Sequence, residues 1–562
     1  MIDFKEIFIK QISDMTSKEI QVNDIRRVIE IPKNSEHGDL AFPCFILAKT
    51  MKMPPAIIAK ELAKQLAHPL IEKTEAVGPY LNIFFAKKSG SAHIVNSVLE
   101  TGEQYGCSTT GKGKTIVVDF SSPNIAKPFS MGHLRSAVIG QALANIAEKQ
   151  GYQTVRINHI GDWGTQFGKL LTAYKKWGDF DKVKESPIEE LFKLYVQFHE
   201  EAKDHPELDD EARLWFKKLE NGDEEAAELW SWFRADSLKE FERIYRLLNI
   251  HFDSYNGEAF YNDKMETVVN RLQQEQLLTM SDGAEVVTLP EEELPPYLIK
   301  KSDGATLYAT RDLAAAIYRK ETYAFDQALY IVGQEQTVHF KQIKAVLKRL
   351  HLDWYEKVTH IPFGLYLKDG KKMSTRQGRI ILLEDVLNEA IQQASANIEA
   401  KNPSLENKEK IAQSVGIGAI LFHDLKNDRM NNIEFSLKDM LTFEGETGPY
   451  LQYTHARACS LLRKTGALPL SEAGLENAYA WETAKLLQQY PNKVKQAYNQ
   501  LSPSTIAKHL IDVAQAFNKY YGNVRILEKD NELQERLALV KAVMIVLADG
   551  MKLLGMDAPE EM

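Results

Sequence analysis

The sequence predicts a multidomain α/β protein, with a central domain on a parallel sheet, a small α+β domain before it and an all-α bundle after it. Three observations predict this. At 562 residues the chain exceeds what one hydrophobic core usually supports. In its middle, β-rich runs alternate with helical ones, the pattern of strand-helix-strand units whose strands lie parallel. From about residue 405 onward helical periodicity predominates to the end.

In chain order, residues 1–108 make the first domain. MIDFKEIFIKQI at 1–12 spaces its apolar residues as a helix does, Pro54 and Pro55 open a helix reaching Leu66, and 76–85 reads as a strand. Gly, Ser, Thr and Lys crowd 101–114, which reads as a linker and puts a boundary near 110. The second domain spans 109–405. There 115–120 is β-rich, 134–149 repeats apolar residues at 134, 138, 142 and 146, and 154–158 is β-rich again. That is one βαβ unit of a Rossmann-like, nucleotide-binding sheet. A charged helical stretch at about 170–260, with Trp and Phe among Glu and Lys, reads as an insertion. A second unit follows as strand 328–332, helix 338–350 and strand 358–367. Residues 406–562 form the bundle, with Tyr450, Tyr453 and Arg457 on one helix and Lys519, Tyr520, Tyr521 and Arg525 near the end of another.

Composition narrows the class. With 44% hydrophobic and 26% charged residues the chain is packed rather than disordered. A net charge of -9 argues against nonspecific DNA binding and leaves room for a local basic face toward one folded RNA. The start lacks the apolar core and cleavage site of a signal peptide. The apolar stretch 540–554 is interrupted by Lys541, Asp549 and Lys552, so it reads as a buried helix rather than a membrane span. Cys44, Cys107 and Cys459 are odd in number and match no zinc spacing, which fits a reducing cytoplasm.

Two short segments carry chemistry. Gly132 and His133 stand where a parallel strand hands over to a helix, and free amides and the helix dipole there favour phosphate. Glycine permits close approach and His133 could donate to oxygens whose charge grows during displacement; a helix-capping histidine satisfies the same pattern. The second segment follows a turn at 368–370 and places Lys371, Lys372, Ser374 and Arg376 on an exposed loop. A lysine there can track a pyrophosphate leaving group, and a solvated basic turn is the alternative.

In this order the two resemble the class I aminoacyl-tRNA synthetase signatures, summarised as HxGH and KMSKS. The surrounding text resembles the arginyl-tRNA synthetases over nearly the whole chain: SSPNIAKPFSMGHLRS at 121–136, NHIGDWGTQFG at 158–168, YATRDLA at 308–314, GQEQTVHF at 333–340, KMSTR at 372–376 and the closing MDAPEEM. The resemblance implies ATP-driven ligation of L-arginine to tRNA(Arg) through arginyl-adenylate, with Mg2+ accompanying ATP. It places Lys127, Gly132, His133, Lys372, Ser374 and Arg376 in catalysis and Ser130, Gly132, His133 and Lys372 against ATP. It places Asp119, Ser122 and Asn124 at the ammonium and carboxylate end of arginine, and Tyr308, Asp312 and Gln336 at its side chain. Chemistry agrees on the last group, since a guanidinium needs a carboxylate and gains from an aromatic neighbour, and positions 308 and 312 share a helix face. An ordinary Tyr/Asp helix pair is the plain alternative.

His159, Asp162, Trp163 and Gln166 are assigned to the site without separate roles, Trp163 also being a natural core anchor, and Gly333, Glu335 and His339 flank a strand end and could contact adenosine, where a turn and a helix cap account for them almost as well. The resemblance also assigns the tRNA elbow to residues 1–108 and the anticodon arm to the bundle, in a monomeric, cytoplasmic enzyme that needs no metal ligands of its own. Two positions depart from the signatures: Ser130 stands for the first histidine and Thr375 for the second lysine, with Lys127 and Arg376 as substitutes. A small nucleotidylyltransferase would share the glycine-histidine turn but leaves the helical C-terminus unexplained. A noncatalytic tRNA-binding relative would have lost His133, Asp312 or Lys372, and all three are present.

Overall fold

A computed structural model describes residues 4–562 apart from 17–19, 33, 126, 128, 302–307, 369, 373–381 and 467–471, and apart from the side chains of Ser35 and Lys372. In the first domain, strands β1 (Leu40–Pro43), β2 (Ile71–Val77) and β3 (Tyr80–Phe85) form an antiparallel sheet in the order β1-β3-β2. The single strand expected at 76–85 is two strands, because the chain reverses at Gly78, whose φ is +57°, and pairs Val77 with Tyr80. The helix Pro55–Gln65 starts on its proline as expected.

The helix Lys87–Thr101 leaves that sheet and packs on the C-terminal bundle. Its Gly90 faces Trp481 so closely that a methyl group there would meet the indole at 2.8 Å. Ser91 Oγ donates to the Leu475 carbonyl at 3.0 Å. From the first domain, Asp39 accepts from Trp481 Nε1 at 3.0 Å and from Lys485 Nζ at 2.9 Å. The first and last parts of the chain are therefore in direct contact. The polar stretch after this helix is fixed in place: Tyr105 is buried and donates to the Leu487 carbonyl, and the Ser108 and Gly111 amides donate to the carbonyls of Lys149 and Gln150.

The central parallel sheet contains β4 (Thr115–Asp119), β5 (Gln153–Ile157), β9 (Gln327–Ile331) and β10 (Val358–Ile361) in the order β10-β9-β4-β5. Ile116, Val117 and Val118 have no exposure, as β-branched residues of a sheet covered on both faces should. The helix Met131–Lys149 joins β4 to β5, and Thr337–Arg349 joins β9 to β10. Since β5 lies on one side of β4 and β9 on the other, the strand order reverses between β4 and β9. That opens a crevice at their carboxyl ends, where α/β sheets place ligands.

Five helices from Thr165–Trp177 to Glu224–Leu247 make the insertion. A three-stranded antiparallel sheet follows, β6 (Leu278–Ser281), β7 (Ala284–Leu289) and β8 (Leu294–Lys300). Acidic residues at 291–293 and two prolines at 295–296 hide this sheet in the sequence. The strand expected at 358–367 also divides: β10 ends at Ile361, Pro362 has no amide to continue the ladder, and Gly364 presses on the Asn431 backbone. Beyond the break, β11 (Tyr366–Lys368) pairs with β12 (Lys371–Lys372) and with β13 (Ile433–Glu434).

The bundle helices Lys408–Leu425, Gly448–Thr465, Ala478–Gln500, Ser504–Asn523 and Leu533–Leu553 follow. Tyr450, Tyr453 and Arg457 share one of them, and Arg525 lies just past the helix that holds Lys519, Tyr520 and Tyr521. Among the described residues no helix is long and apolar enough to cross a membrane.

Candidate active site

At the carboxyl end of β4 the chain turns through two consecutive left-handed residues, Ser121 at φ +73° and Ser122 at φ +48°. Such backbone costs about 1–3 kcal/mol per residue and persists only where surroundings over-determine it. Here they do. The Ser121 amide donates to Ser136 Oγ at 2.8 Å, and Ser136 donates onward to the Ile331 carbonyl at 2.6 Å, tying β4, the following helix and β9 together. The Ser122 amide donates to Asn158 Oδ1 at 3.1 Å, and Asn158 Nδ2 to Tyr245 of the insertion at 3.0 Å. The loops after β4 and β5 are laced as well, Ile125 amide to Gly161 carbonyl at 3.1 Å and Gly161 amide to Pro123 carbonyl at 3.0 Å. Gly161 has no room for a side chain because Asn124 Oδ1 occupies it.

Gly132 and His133 occupy the first turn of the helix Met131–Lys149. His133 Nδ1 accepts the Ser130 amide at 3.1 Å, so the histidine does cap its helix, and that contact leaves the proton of the neutral ring on Nε2. Burial pushes its pKa down to about 4, against the opposing Ser130 hydrogen bond and with help from the Lys127 charge. The capping and phosphate-donor readings are thus compatible, one on each ring nitrogen. Between the loops after β4 and β5 a cleft of about 180 Å³ is lined by Asn124, Lys127, Trp163, Gln166, Tyr195 and Glu258 among others. Lys127 Nζ sits 5.1 Å from the Tyr195 ring centre, and burial lowers its pKa. Burial raises Glu258 to about 7 despite Arg311, whose Nη1 is 3.6 Å away, with Asp312 and Asp162 adding to the rise.

On the other side of the crevice lies a chain of paired charges. Asp119, 4% exposed, accepts from Arg319 Nη1 at 2.7 Å through Oδ2 and from Ser122 Oγ at 3.2 Å through Oδ1. Arg319 is 1% exposed, with its guanidinium 5.4 Å from the Tyr330 ring and 6.0 Å from that of Tyr261. Its Nη2 reaches His159 Nδ1 at 3.3 Å. His159 Nε2 then faces Asp312 Oδ1 at 3.8 Å, and His339 Nε2 meets Asp312 Oδ2 at 2.7 Å. Asp312 keeps 31% of its side chain exposed, and Tyr308, one helical turn earlier, is 60% exposed.

Asn124 is exposed at the junction of the two laced loops. Gly333 lies two residues past β9, and a methyl on it would meet the Glu335 carboxylate at 2.5 Å; Glu335 and Gln336 belong to the exposed turn Gln334–Gln336. The backbone of Lys372 lies in β12, while its side chain and all of Ser374 and Arg376 fall outside the described residues. The β11 strand that leads there is anchored: Tyr366 donates to buried Asp424 Oδ2 at 2.6 Å, and Arg135 Nε lies 3.2 Å from the same oxygen.

Of the 158–168 loop, His159 joins the Asp312 cluster, Trp163 and Gln166 line the cleft, and Asp162 is buried in a clamp with Arg234 Nε at 2.8 Å and the Ala259 amide at 2.8 Å. His339 holds Asp312, a role sequence reasoning did not give it. Arg319, Tyr297 and Glu258 were missed altogether. Arg319 left one signal: it follows Asp312 by seven residues, two helical turns, on a face otherwise rich in alanine. On the bundle surface the Arg457 guanidinium lies between the rings of Tyr453 at 4.9 Å and Tyr521 at 4.6 Å, each ring 41% exposed, whereas Tyr520 is buried.

Three family models match the chain end to end: an arginyl tRNA synthetase N terminal domain over residues 3–85, the catalytic domain of tRNA synthetases class I (R) over 94–437 and a DALR anticodon binding domain over 451–562. Arginine–tRNA ligase 2 of Bacillus anthracis is 58% identical over 562 residues, covering all of both chains. Arginine–tRNA ligase of Enterococcus faecalis is 57% identical over 560 residues, 99% of this chain and 100% of that one. Among solved structures, an arginyl-tRNA synthetase of Thermus thermophilus superposes with a TM-score of 0.82 at 26% identity over the full length of both.

Proposed function

The chain belongs to the arginyl-tRNA synthetase family, and from that premise we propose which residues carry each part of the reaction. The protein ligates L-arginine to tRNA(Arg), with ATP as co-substrate. An oxygen of the arginine carboxylate attacks the α-phosphorus of ATP, the bond from that phosphorus to the bridging oxygen breaks, and pyrophosphate leaves. A hydroxyl of the terminal ribose of the tRNA then attacks the arginyl carbonyl, and AMP departs with the bonding pair. Positioning and electrostatic stabilisation supply most of the acceleration of such steps.

The arginine side chain runs toward Asp312, with Tyr308 beside it and Gln336 at the rim. Asp119, Ser122 and Asn124 serve its ammonium and carboxylate end. In this structure Asp119 is engaged by Arg319 and Ser122, so it acts there as part of a fixed polar wall. Gly132 lets the triphosphate approach the helix amides, and His133 donates from Nε2 to oxygens whose charge grows as pyrophosphate separates. Lys127, Ser130, Lys372, Ser374 and Arg376 complete the phosphate side, and Gly333 and Glu335 border the adenosine.

Mg2+ would accompany ATP, offsetting charge on its phosphates as a divalent cation does with nucleoside triphosphates. Residues 1–108 meet the tRNA elbow. The bundle meets the anticodon arm, where the Tyr453–Arg457–Tyr521 stack offers π faces and a cation to unpaired bases. The enzyme works as a cytoplasmic monomer, with domains at 1–108, 109–405 and 406–562.

The observation that carries the pocket is Asp312, a partly exposed carboxylate at the strand-order reversal with an exposed tyrosine one turn before it. Asp312→Asn keeps the volume and removes the charge, so arginine affinity should fall by about 3 kcal/mol or more, the scale of a broken desolvated ion pair, while ATP affinity stays. Calorimetry with each ligand decides it. Unchanged arginine affinity removes Asp312 from the pocket.

A further inference from the structure

A carboxylate that must bind a cation poses a problem of its own. It has to be held still, yet any cationic holder, a lysine or an arginine, would cancel the charge it offers. Neutral N–H donors solve this, since they orient the carboxylate and leave its charge intact. Asp312 has an imidazole toward each oxygen, His339 at hydrogen-bond distance and His159 further off at 3.8 Å.

Arg319 settles the protonation of the first. A guanidinium only donates, so the His159 Nδ1 it faces at 3.3 Å is a lone pair. The proton of His159 therefore sits on Nε2, aimed at Asp312 Oδ1. Burial lowers the His159 pKa and the nearby Arg319 charge lowers it further, against the opposing charges of Asp119, Asp312 and Asp162.

The second imidazole makes the closer contact. His339 Nε2 lies 2.7 Å from Asp312 Oδ2, and since a carboxylate only accepts, this nitrogen carries the proton. The ring stacks on Tyr297 at 5.7 Å and 25°, and Tyr308 approaches at 5.5 Å. Tyr297 in turn donates to the Ala309 carbonyl at 2.6 Å, in the first turn of the helix Tyr308–Tyr323. One tyrosine thus fixes both the imidazole and the helix that bears the carboxylate.

We propose that His339 is a positioning residue for arginine recognition, its Nε2–H holding the Asp312 carboxylate in place for the guanidinium. This rests on the assignment of Asp312 to the arginine side chain. In it His339 touches neither arginine nor ATP. The substrate's guanidinium takes the exposed side of the carboxylate and His339 the side facing Tyr297.

Two substitutions separate orientation from packing. His339→Phe keeps a flat ring against Tyr297 and removes the donor; His339→Gln places an amide N–H near the lost Nε2. Arginine and ATP affinities are measured by calorimetry on the full-length protein, with thermal unfolding as a check on folding and Asp312→Asn run alongside. His339→Phe should weaken arginine binding by about tenfold to a hundredfold, the scale of a hydrogen bond to a charged group, with ATP affinity unchanged. His339→Gln should restore most of the loss. The proposal is overturned if His339→Phe binds arginine as the parent does, if His339→Gln is no better than His339→Phe, or if ATP affinity falls in step with that for arginine. If Asp312→Asn itself keeps full arginine affinity, the pocket assignment fails and the proposal with it. If Asp312→Asn loses arginine and His339→Phe does not, the proposal alone fails.

Discussion

The two sides of the crevice are built differently. On the side proposed for arginine, five side chains from four segments run in sequence, Asp119, Arg319, His159, Asp312 and His339, each bonded or close to the next and buried or half-buried. On the side proposed for phosphate, the described residues present open backbone at Gly132, one histidine nitrogen, Ser130 and the half-buried Lys127. Recognition of a fixed, rigid cation rewards a site that is complete before the ligand arrives. Stabilising charge that exists only during displacement rewards donors that meet little in the ground state. A mutation on the first side should therefore register in binding and stability, and one on the second in rate.

The largest effect expected is from Arg319→Met. It removes the cation from a pair whose partner Asp119 is also buried, and an orphaned buried charge costs about 3–5 kcal/mol of folding stability. Denaturant unfolding measures it; a loss under about 1 kcal/mol would mean the chain of charges is looser than its distances imply.

Next comes His133→Ala. Loss of a donor to developing oxyanion charge lowers kcat by roughly a hundredfold or more, with the KM for ATP changed far less. Rapid-quench measurement of adenylate formation reads this directly, and a rate equal to the parent's would erase the contrast between the two sides.

The smallest effect is in pH. With its pKa lowered to about 4, His133 is neutral from there upward, so its donor role should leave no break in kcat between about pH 5 and 8. The same shift has a consequence for stability. The unfolded chain takes up a proton near the ordinary histidine value of 6.5 and the folded one does not until about 4. Stability from this residue is complete above 6.5 and lost as pH falls toward 4. Thermal unfolding across that window should show a shallower decline for His133→Gln than for the parent, and equal slopes would place the imidazole in water.

Much of this architecture was legible in the sequence, and the exceptions have physical causes. The βαβ periodicity located β4, β5 and β9 to within a few residues, and the start of β10, most clearly at β4, which is buried on both faces and written in Ile and Val. The sheet β6–β8 escaped because its two hairpin turns and its prolines break any run into pieces shorter than a periodicity can show. Tyr308 and Asp312 were readable as a pair because helical spacing brings them together locally. The partners of Asp312 were not, since His159 comes from the loop after β5, 153 residues away, and His339 from the helix after β9, 27 residues away, and only the tertiary fold brings them to one carboxylate. Asp119 was expected to face the substrate; that it already holds Arg319, 200 residues on, no local pattern could reveal.

The contact between the two ends of the chain has a consequence in time. Asp39 closes its bond with Lys485 across 446 residues, and Ser91 meets Leu475 across 384. Ribosomes add about 5–20 residues per second, so the first domain emerges on the order of a minute before the surface it packs against exists. During that interval Gly90, Ser91 and the polar edge of Asp39 stand uncovered, and the last helices made are the ones that finish the first domain's interface.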